Sequence, residues 1–494
     1  MKIKALLVLI LAQLLYAYDL KSICQSESSF CKLFETKQIE VQGNQALTKT
    51  VFGFLPWWQY QLGSQNYLRY DLLSHLAVFS FEADSTGALK DPPYGTWPWY
   101  DVITKAVNNN VKLMMTVTNF DSLAIHKIFN DVNVRKNLIN NILTKNVSGA
   151  FAGVIIDFEN IQIRDKKNPT KNFLDAIKNA LNNINTVNEL AIAVPNVNDG
   201  SWDFNLLLNS ADYLFVMCYD YNGSWSYNTS PSAPLIGNGG YNVTSTFDVY
   251  FSSIVTSNPD KLILGVPYYG NYWRLNSKDP FAQVLPYDPL RSKNNWIKPS
   301  LLYNQIIPAY SQKSIQWDKT TQTPWLSWRD SIWNQIWYDN DSSLALKYDL
   351  AIKKNLKGIG IWALGYDDGR TELWNLIERK FSRTSGIEEK QIIPKEFALY
   401  QNYPNPFNPS TAISYQLPVA GYVTLKVYDL LGREIATLVD GFKPSGTYNS
   451  PFSIRQLTDN LPAGRQGSQL PSGIYMYILR VGNYVQVRKM ILLK

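Results

Sequence analysis

The chain has 494 residues, with 47 Lys and Arg against 40 Asp and Glu, and so a formal net charge of +7. That surplus is modest and unclustered and leaves no nucleic-acid footprint. Two histidines and three cysteines, none at metal-ligand spacing, argue against a zinc hydrolase and a histidine-based serine triad, whereas 15 Trp and 31 Tyr supply flat rings that suit sugar faces as well as ordinary cores.

At the N-terminus Lys2 and Lys4 precede an apolar run, Ala5 to Leu15, and Leu15-Tyr16-Ala17 offers a cleavage site. Residues 1–17 therefore read as a secretory signal, too short to span a bilayer. No other apolar stretch reaches a transmembrane length, so stable membrane insertion is not expected. An extension over 18–45 carries Cys24 and Cys31, which an oxidising compartment would allow to form a local disulfide. The residues before Cys24 do not form a lipoprotein box.

From 46 to 384 short apolar runs alternate with amphipathic segments. Strands are predicted at Val51–Leu55, His75–Phe81, Val111–Thr118, Gly153–Phe158, Leu190–Val194, Tyr213–Met217, Lys261–Val266 and Gly358–Trp362. Helical periodicity is clearest in Phe173, Leu174, Ile177, Ala180, Leu181 and Ile184, and recurs over Val134 to Leu143 and Leu344 to Ile352. Eight such units predict an α/β fold, a (β/α)₈ TIM barrel. An open doubly wound sheet is the alternative, but no glycine-rich dinucleotide loop follows the first strand. The stretch from about 268 to 341 is too long for a simple connection and holds seven Trp, including Trp273 and Trp337. It reads as an inserted subdomain between strands 7 and 8, forming one wall of a cleft, or as a compact excursion with its own core.

The most informative segment is GVIIDFEN, Gly153 to Asn160. A β-branched run ends in Asp157 and Glu159, two apart and so on one face where the fourth barrel strand emerges. Buried carboxylates are either retained for chemistry or belong to an acidic turn. Other strand ends add weight. VMCYDY puts Met217, Tyr219 and Asp220 at the end of the sixth strand, and Trp362 ends the eighth. Trp57 and Trp58 follow the first, and Phe79 lies near the end of the second. Cys218, in the same VMCYDY, reads as a small buried filler.

These motifs resemble glycoside hydrolase family 18, the chitinase-like barrels, over about Val51 to Phe381. The family's DGxDxDxE signature is matched by AGVIIDFE from Ala152 to Glu159, MxYD by Met217, Tyr219 and Asp220, and two further signatures by LGVPYYG (Leu264 to Gly270) and IWALGYDD (Ile361 to Asp368). Ala152 and Ile155 stand where the family has its first two aspartates. The resemblance implies a substrate-assisted retaining glycosidase of β-linked N-acetylglucosamine polymers that needs no cofactor. Glu159 would be the proton donor, Asp157 and Tyr219 would handle the acetamido group, and Trp362 would form the floor of the cleaved subsite. Asp220, Met217, Trp57 and Phe79 would contact sugar. Asp157 is expected to help hold Glu159 protonated. A non-catalytic, lectin-like relative that keeps the cleft is the second reading.

After a polar linker, 385–396, the composition turns all-β over 397–494, with strands expected at SYQLP, VTLKVYD, IATLVD, IYMYILR and VQVRKMILL. A small antiparallel sandwich fits. YPNPFNPST, KVYDLLGREIATL and PSGIYMYILRVGNYVQVRKMILLK resemble the C-terminal sorting domain of the type IX secretion system. That implies export across the outer membrane of a Gram-negative cell, with the secretion machinery as a partner. A carbohydrate-binding sandwich is the alternative, against which stands the absence of any Trp in this segment. NLPAG and QLPSG nearly repeat, so Leu457 to Ser468 reads as a loop insertion. The chain is expected to be a monomer.

Overall fold

Short β-branched runs favour buried parallel strands, and amphipathic segments between them cover the sheet with helices. The computed structural model describes residues 47–93, 97–148, 151–223, 225–284, 300–310, 313, 315–382, 396–419, 421–443, 445–454 and 470–493. The expected signal segment, Cys24 and Cys31, most of the linker, Trp296 and the loop insertion lie outside the described residues. The chain divides into two compact units, Met1–Ser385 and Gly386–Lys494.

The strands of the first unit are β1 (Thr50–Pro56), β2 (His75–Ala83), β3 (Leu89–Lys90), β4 (Lys112–Asn119), β5 (Gly153–Phe158), β6 (Glu189–Pro195), β7 (Tyr213–Met217), β8 (Leu262–Pro267), β9 (Tyr269–Leu275), β10 (Ser300–Leu302), β11 (Ile315–Asp318), β12 (Thr323–Arg329), β13 (Trp333–Tyr338) and β14 (Gly358–Trp362). Hydrogen bonding runs β1-β14-β8-β7-β6-β5-β4-β2, and β2 pairs in parallel with β1, closing an eight-stranded (β/α)₈ barrel. All eight predicted strands are present. β5, β7 and β14 keep the predicted bounds, and the others differ by one or two residues at an end.

The pleat sorts side chains. Phe52, Phe54, Met114, Ile155, Ala191, Phe215 and Ile263 fill the barrel interior. Their neighbours, such as Val154 and Ile156, face the helices. The interior is so full that a Cβ on Gly360 would lie 2.0 Å from the Phe215 ring, which explains a glycine in the middle of β14. The helix Asn168–Ile184 buries Phe173, Leu174, Ile177 and Leu181, as its period predicts, while Ile184 at its end is exposed. Cys218 is buried and unpaired.

The excursion after β8 is a five-stranded sheet, ordered β10-β9-β13-β12-β11. Trp273, Leu275, Trp325 and Trp337 form its own small core, with the Trp325 and Trp337 rings stacked 5.3 Å apart.

The second unit has β15 (Ala398–Leu399), β16 (Ser410–Leu417), β17 (Gly421–Tyr428), β18 (Glu434–Lys443), β19 (Gly446–Ser453), β20 (Gly473–Val481) and β21 (Tyr484–Leu492). A three-stranded sheet, β15-β16-β19, and a four-stranded sheet, β18-β17-β20-β21, share a core that includes Leu399, Ile413, Leu425, Phe452, Tyr477 and Leu479. β19 was not among the predicted strands.

Candidate active site

β5 delivers the acids. Ile155 and Asp157 point inward, and Asp157 pairs in register with Thr118 of β4. Glu159 lies one residue past the end of the strand, where its N–H donates to the Asn119 carbonyl at 3.0 Å. Below Asp157 the barrel offers Ile155, which is fully buried, in place of a second acid. Asp157 is 5% exposed, and its Oδ1 has no hydrogen-bond partner.

That placement sets the electrostatics. Burial, and then the charge of Glu159, push the Asp157 carboxyl up to about 8. Glu159 is also raised, by desolvation between the cleft walls and then by the charge of Asp220. Asp157, the deeper group, and Glu159 are a coupled pair of like charges, each disfavouring the other's ionisation, and the charge of Asp220 adds to the rise of Glu159. Desolvation likewise raises Asp220, opposed by hydrogen bonds from Tyr269 and Ser232. Burial holds the Tyr219 phenol well above its ordinary range, so it stays a neutral donor.

These groups line one cleft of about 720 Å³ at the C-terminal mouth of the barrel, together with Trp57, Trp58, Phe79, Met217 and Trp362. Every residue predicted for the site is in this lining. Trp362 is half-buried among aromatic edges. Its ring centre lies 4.7 Å from Phe79, 5.6 Å from Phe54 and 6.5 Å from Trp58, all near edge-to-face. These contacts fix the ring where it lines the cleft, a placement that suits stacking on a sugar. Trp57 packs edge-to-face on Trp58 at 5.4 Å.

Among the described residues, the lining includes none from the excursion after β8. Glu82, Lys90, Asp91 and Pro93, on β2, β3 and the turn beyond, form one wall, and Phe120 borders the cleft after β4. Lys145 pairs with Asp91 at 2.6 Å. Sequence reading missed this wall because a two-residue strand such as β3 carries no periodicity. Among the described residues no cluster of His, Cys, Asp and Glu has the makings of a metal site. No helix among the described residues is long and apolar enough to cross a membrane.

A family model described as glycosyl hydrolases family 18 matches residues 36–367. The cortical fragment-lytic enzyme of Bacillus subtilis (strain 168) is 24% identical over 323 residues, 63% of this chain and 68% of that protein. The di-N-acetylchitobiase of Homo sapiens is 27% identical over 212 residues, and the match covers 39% of this chain and about half, 53%, of that relative. Among solved structures, the Group IV chitinase of Ostrinia furnacalis in complex with allosamidin aligns with a TM-score of 0.59 and 22% identity over 67% of this chain and 98% of that one. The spore cortex-lytic enzyme SleL of Bacillus megaterium QM B1551 aligns at 0.55 and 22%, over 69% and 75%. At such identities the structural likeness speaks to the barrel.

Proposed function

The chain belongs to glycosyl hydrolases family 18, and from that premise we propose that it cleaves β-linked N-acetylglucosamine-containing polymers, of chitin or peptidoglycan type, by a substrate-assisted retaining mechanism. The observation that carries the reading is the buried, single-handed Asp157 beside Glu159, in a cleft that also presents Tyr219, Asp220 and the Trp362 ring. Relatives named as a cortical fragment-lytic enzyme and a di-N-acetylchitobiase support the breadth of that substrate class.

In the free cleft Asp157 holds a proton at neutral pH. A bound acetamido N–H donating to Asp157 would favour its ionised form and leave the proton for Glu159. Glu159 then protonates the glycosidic oxygen. The acetamido oxygen attacks the anomeric carbon, with Tyr219 donating to that oxygen and Asp157 bearing charge beside the oxazolinium nitrogen. Departure of the aglycone leaves Glu159 as a carboxylate. It takes a proton from the incoming water, which opens the oxazolinium ring with net retention. Trp362 stacks beneath the reacting sugar.

We further read the signal segment and the C-terminal sandwich as export devices. Together they would send the protein across the outer membrane by the type IX route. Incubation with chitin oligosaccharides and with muropeptide glycans, followed by mass analysis, tests the catalytic reading. New reducing-end products from wild type and none from Glu159→Gln are expected. Absence of product from both substrate sets would discard it.

A further inference from the structure

Asp220 follows β7 with a left-handed backbone (φ 56°), and two side chains from other segments grip its carboxylate. Tyr269, the first residue of β9, donates its hydroxyl to Asp220 Oδ1 at 2.5 Å. Ser232 Oγ donates to the same oxygen at 3.1 Å and accepts from the Asp220 N–H at 2.9 Å. Ser232 Oγ also lies 3.2 Å from Tyr269 Oη, closing a triangle on one carboxylate oxygen. Both residues are buried, and neither lines the cleft.

We propose that Tyr269 and Ser232 are positioning residues that fix the Asp220 carboxylate beside Glu159 and thereby set the alkaline limit of the reaction. The proposal rests on Glu159 being the general acid. The ionisable groups facing Glu159 are Asp157 from β5 and Tyr219 and Asp220 from the end of β7, with Glu82, Lys90 and Asp91 further along the same cleft from β2 and β3. Beyond burial, the charge of Asp220 raises Glu159 further. Two neutral donors on Asp220 favour its ionised form against its own burial. Removing a donor makes Asp220 harder to ionise and frees it to turn away. Its field at Glu159 weakens, and Glu159 loses its proton at lower pH.

The test is a ¹³C-carboxyl NMR titration of the full chain, with the Glu159 signal identified by its loss in Glu159→Gln. In Tyr269→Phe the Glu159 midpoint should fall by about half a pH unit, and in Ser232→Ala by less. The alkaline limb of kcat/KM on a chromogenic N-acetylglucosaminide should move with it, while the acidic plateau stays within a few-fold of wild type. A Glu159 midpoint that is unmoved in both folded variants overturns the proposal. Should Tyr269→Phe fail to fold, the Ser232→Ala midpoint decides alone. The titration needs no turnover. A midpoint that moves in a chain that cleaves no glycan therefore supports the positioning role and discards the proposed hydrolysis.

Discussion

Asp157 at one mouth of the barrel and Glu189 at the other are both carboxylates taken largely out of water, yet they respond in opposite directions. Glu189 opens β6 at the N-terminal face. It accepts from His75 Nε2 at 2.9 Å, from the Tyr213 hydroxyl at 3.0 Å and from Lys112 Nζ. Burial alone would push Glu189 up, but the His75 and Lys112 partners reverse the effect and hold it well below the usual carboxylate range. Asp157 has Ile155 below it, an unpartnered oxygen and a second acid as neighbour, so burial wins. The same barrel thus supports a satisfied charge where it needs stability and an unsatisfied acid where the cleft opens.

The sharpest way to break this contrast is at the cleft mouth. Glu159→Gln keeps the shape and removes the transferable proton, so turnover should drop by roughly 10²–10⁴-fold, with binding of an oligosaccharide by calorimetry largely kept. Full turnover in that variant would remove the catalytic assignment.

Asp157 and Glu189 should also give opposite pH signatures in stability. Asp157 is raised above its ordinary 3.8 to about 8, so its contribution is fully present below about 4 and is lost as pH rises towards 8. Asp157→Asn should lower turnover yet melt higher than wild type at pH 8, with the gap closing near pH 4. Glu189 is depressed, so its contribution is present above its unfolded value and is lost as pH falls. Glu189→Gln should lose about 1–3 kcal/mol at pH 7, the usual consequence of stranding buried partners. Melting curves of both variants from pH 4 to 9 check the signs. Parallel profiles for the two would refute the contrast.

A smaller effect is expected at the aromatic floor. Trp362→Ala should weaken oligosaccharide affinity about tenfold, or roughly 1.4 kcal/mol, with a modest loss of melting temperature from the contacts to Phe54, Trp58 and Phe79. A large melting loss with unchanged affinity per folded molecule would make Trp362 a core residue. The least change in turnover is expected from ending the chain after Ser385. The first unit has its own closed sheet and core, so the truncated enzyme should match wild-type turnover within about twofold while failing to leave the periplasm. Normal export of the truncated chain would separate the sandwich from sorting.

Much of this was legible beforehand because local signals and tertiary demands agree. The β-branched run before Asp157 is a strand because only such a run tolerates burial on both faces, and the two-residue period carries Ile155 and Asp157 inward together. What stayed hidden depends on distance rather than pattern. Tyr269 lies inside the family-like LGVPYYG and Ser232 lies 37 residues before it, but nothing in their spacing shows that they meet at one oxygen of Asp220. β19 escaped because NSPF offers polar residues and Pro451 where a strand is usually read from apolar alternation. That the charge of Asp220 also reaches Glu159 depends on how the ends of β5 and β7 meet, which a linear chain does not record.

The excursion after β8 enters along β9 and leaves along β13, and these two strands are hydrogen-bonded antiparallel partners, with Gly270 opposite Tyr338 and Leu275 opposite Trp333. A single residue, Tyr268, separates β9 from β8, so Tyr269 stands at the root of this paired stem, next to the barrel rim. The excursion also returns to the barrel at its far end: in the turn between β11 and β12 the Thr321 carbonyl accepts from the Leu235 N–H at 3.0 Å, three residues beyond Ser232. The excursion thus braces the Asp220 carboxylate twice, through Tyr269 at its root and through the Ser232 segment at its outer turn, so that trimming either end disturbs the acid they steady.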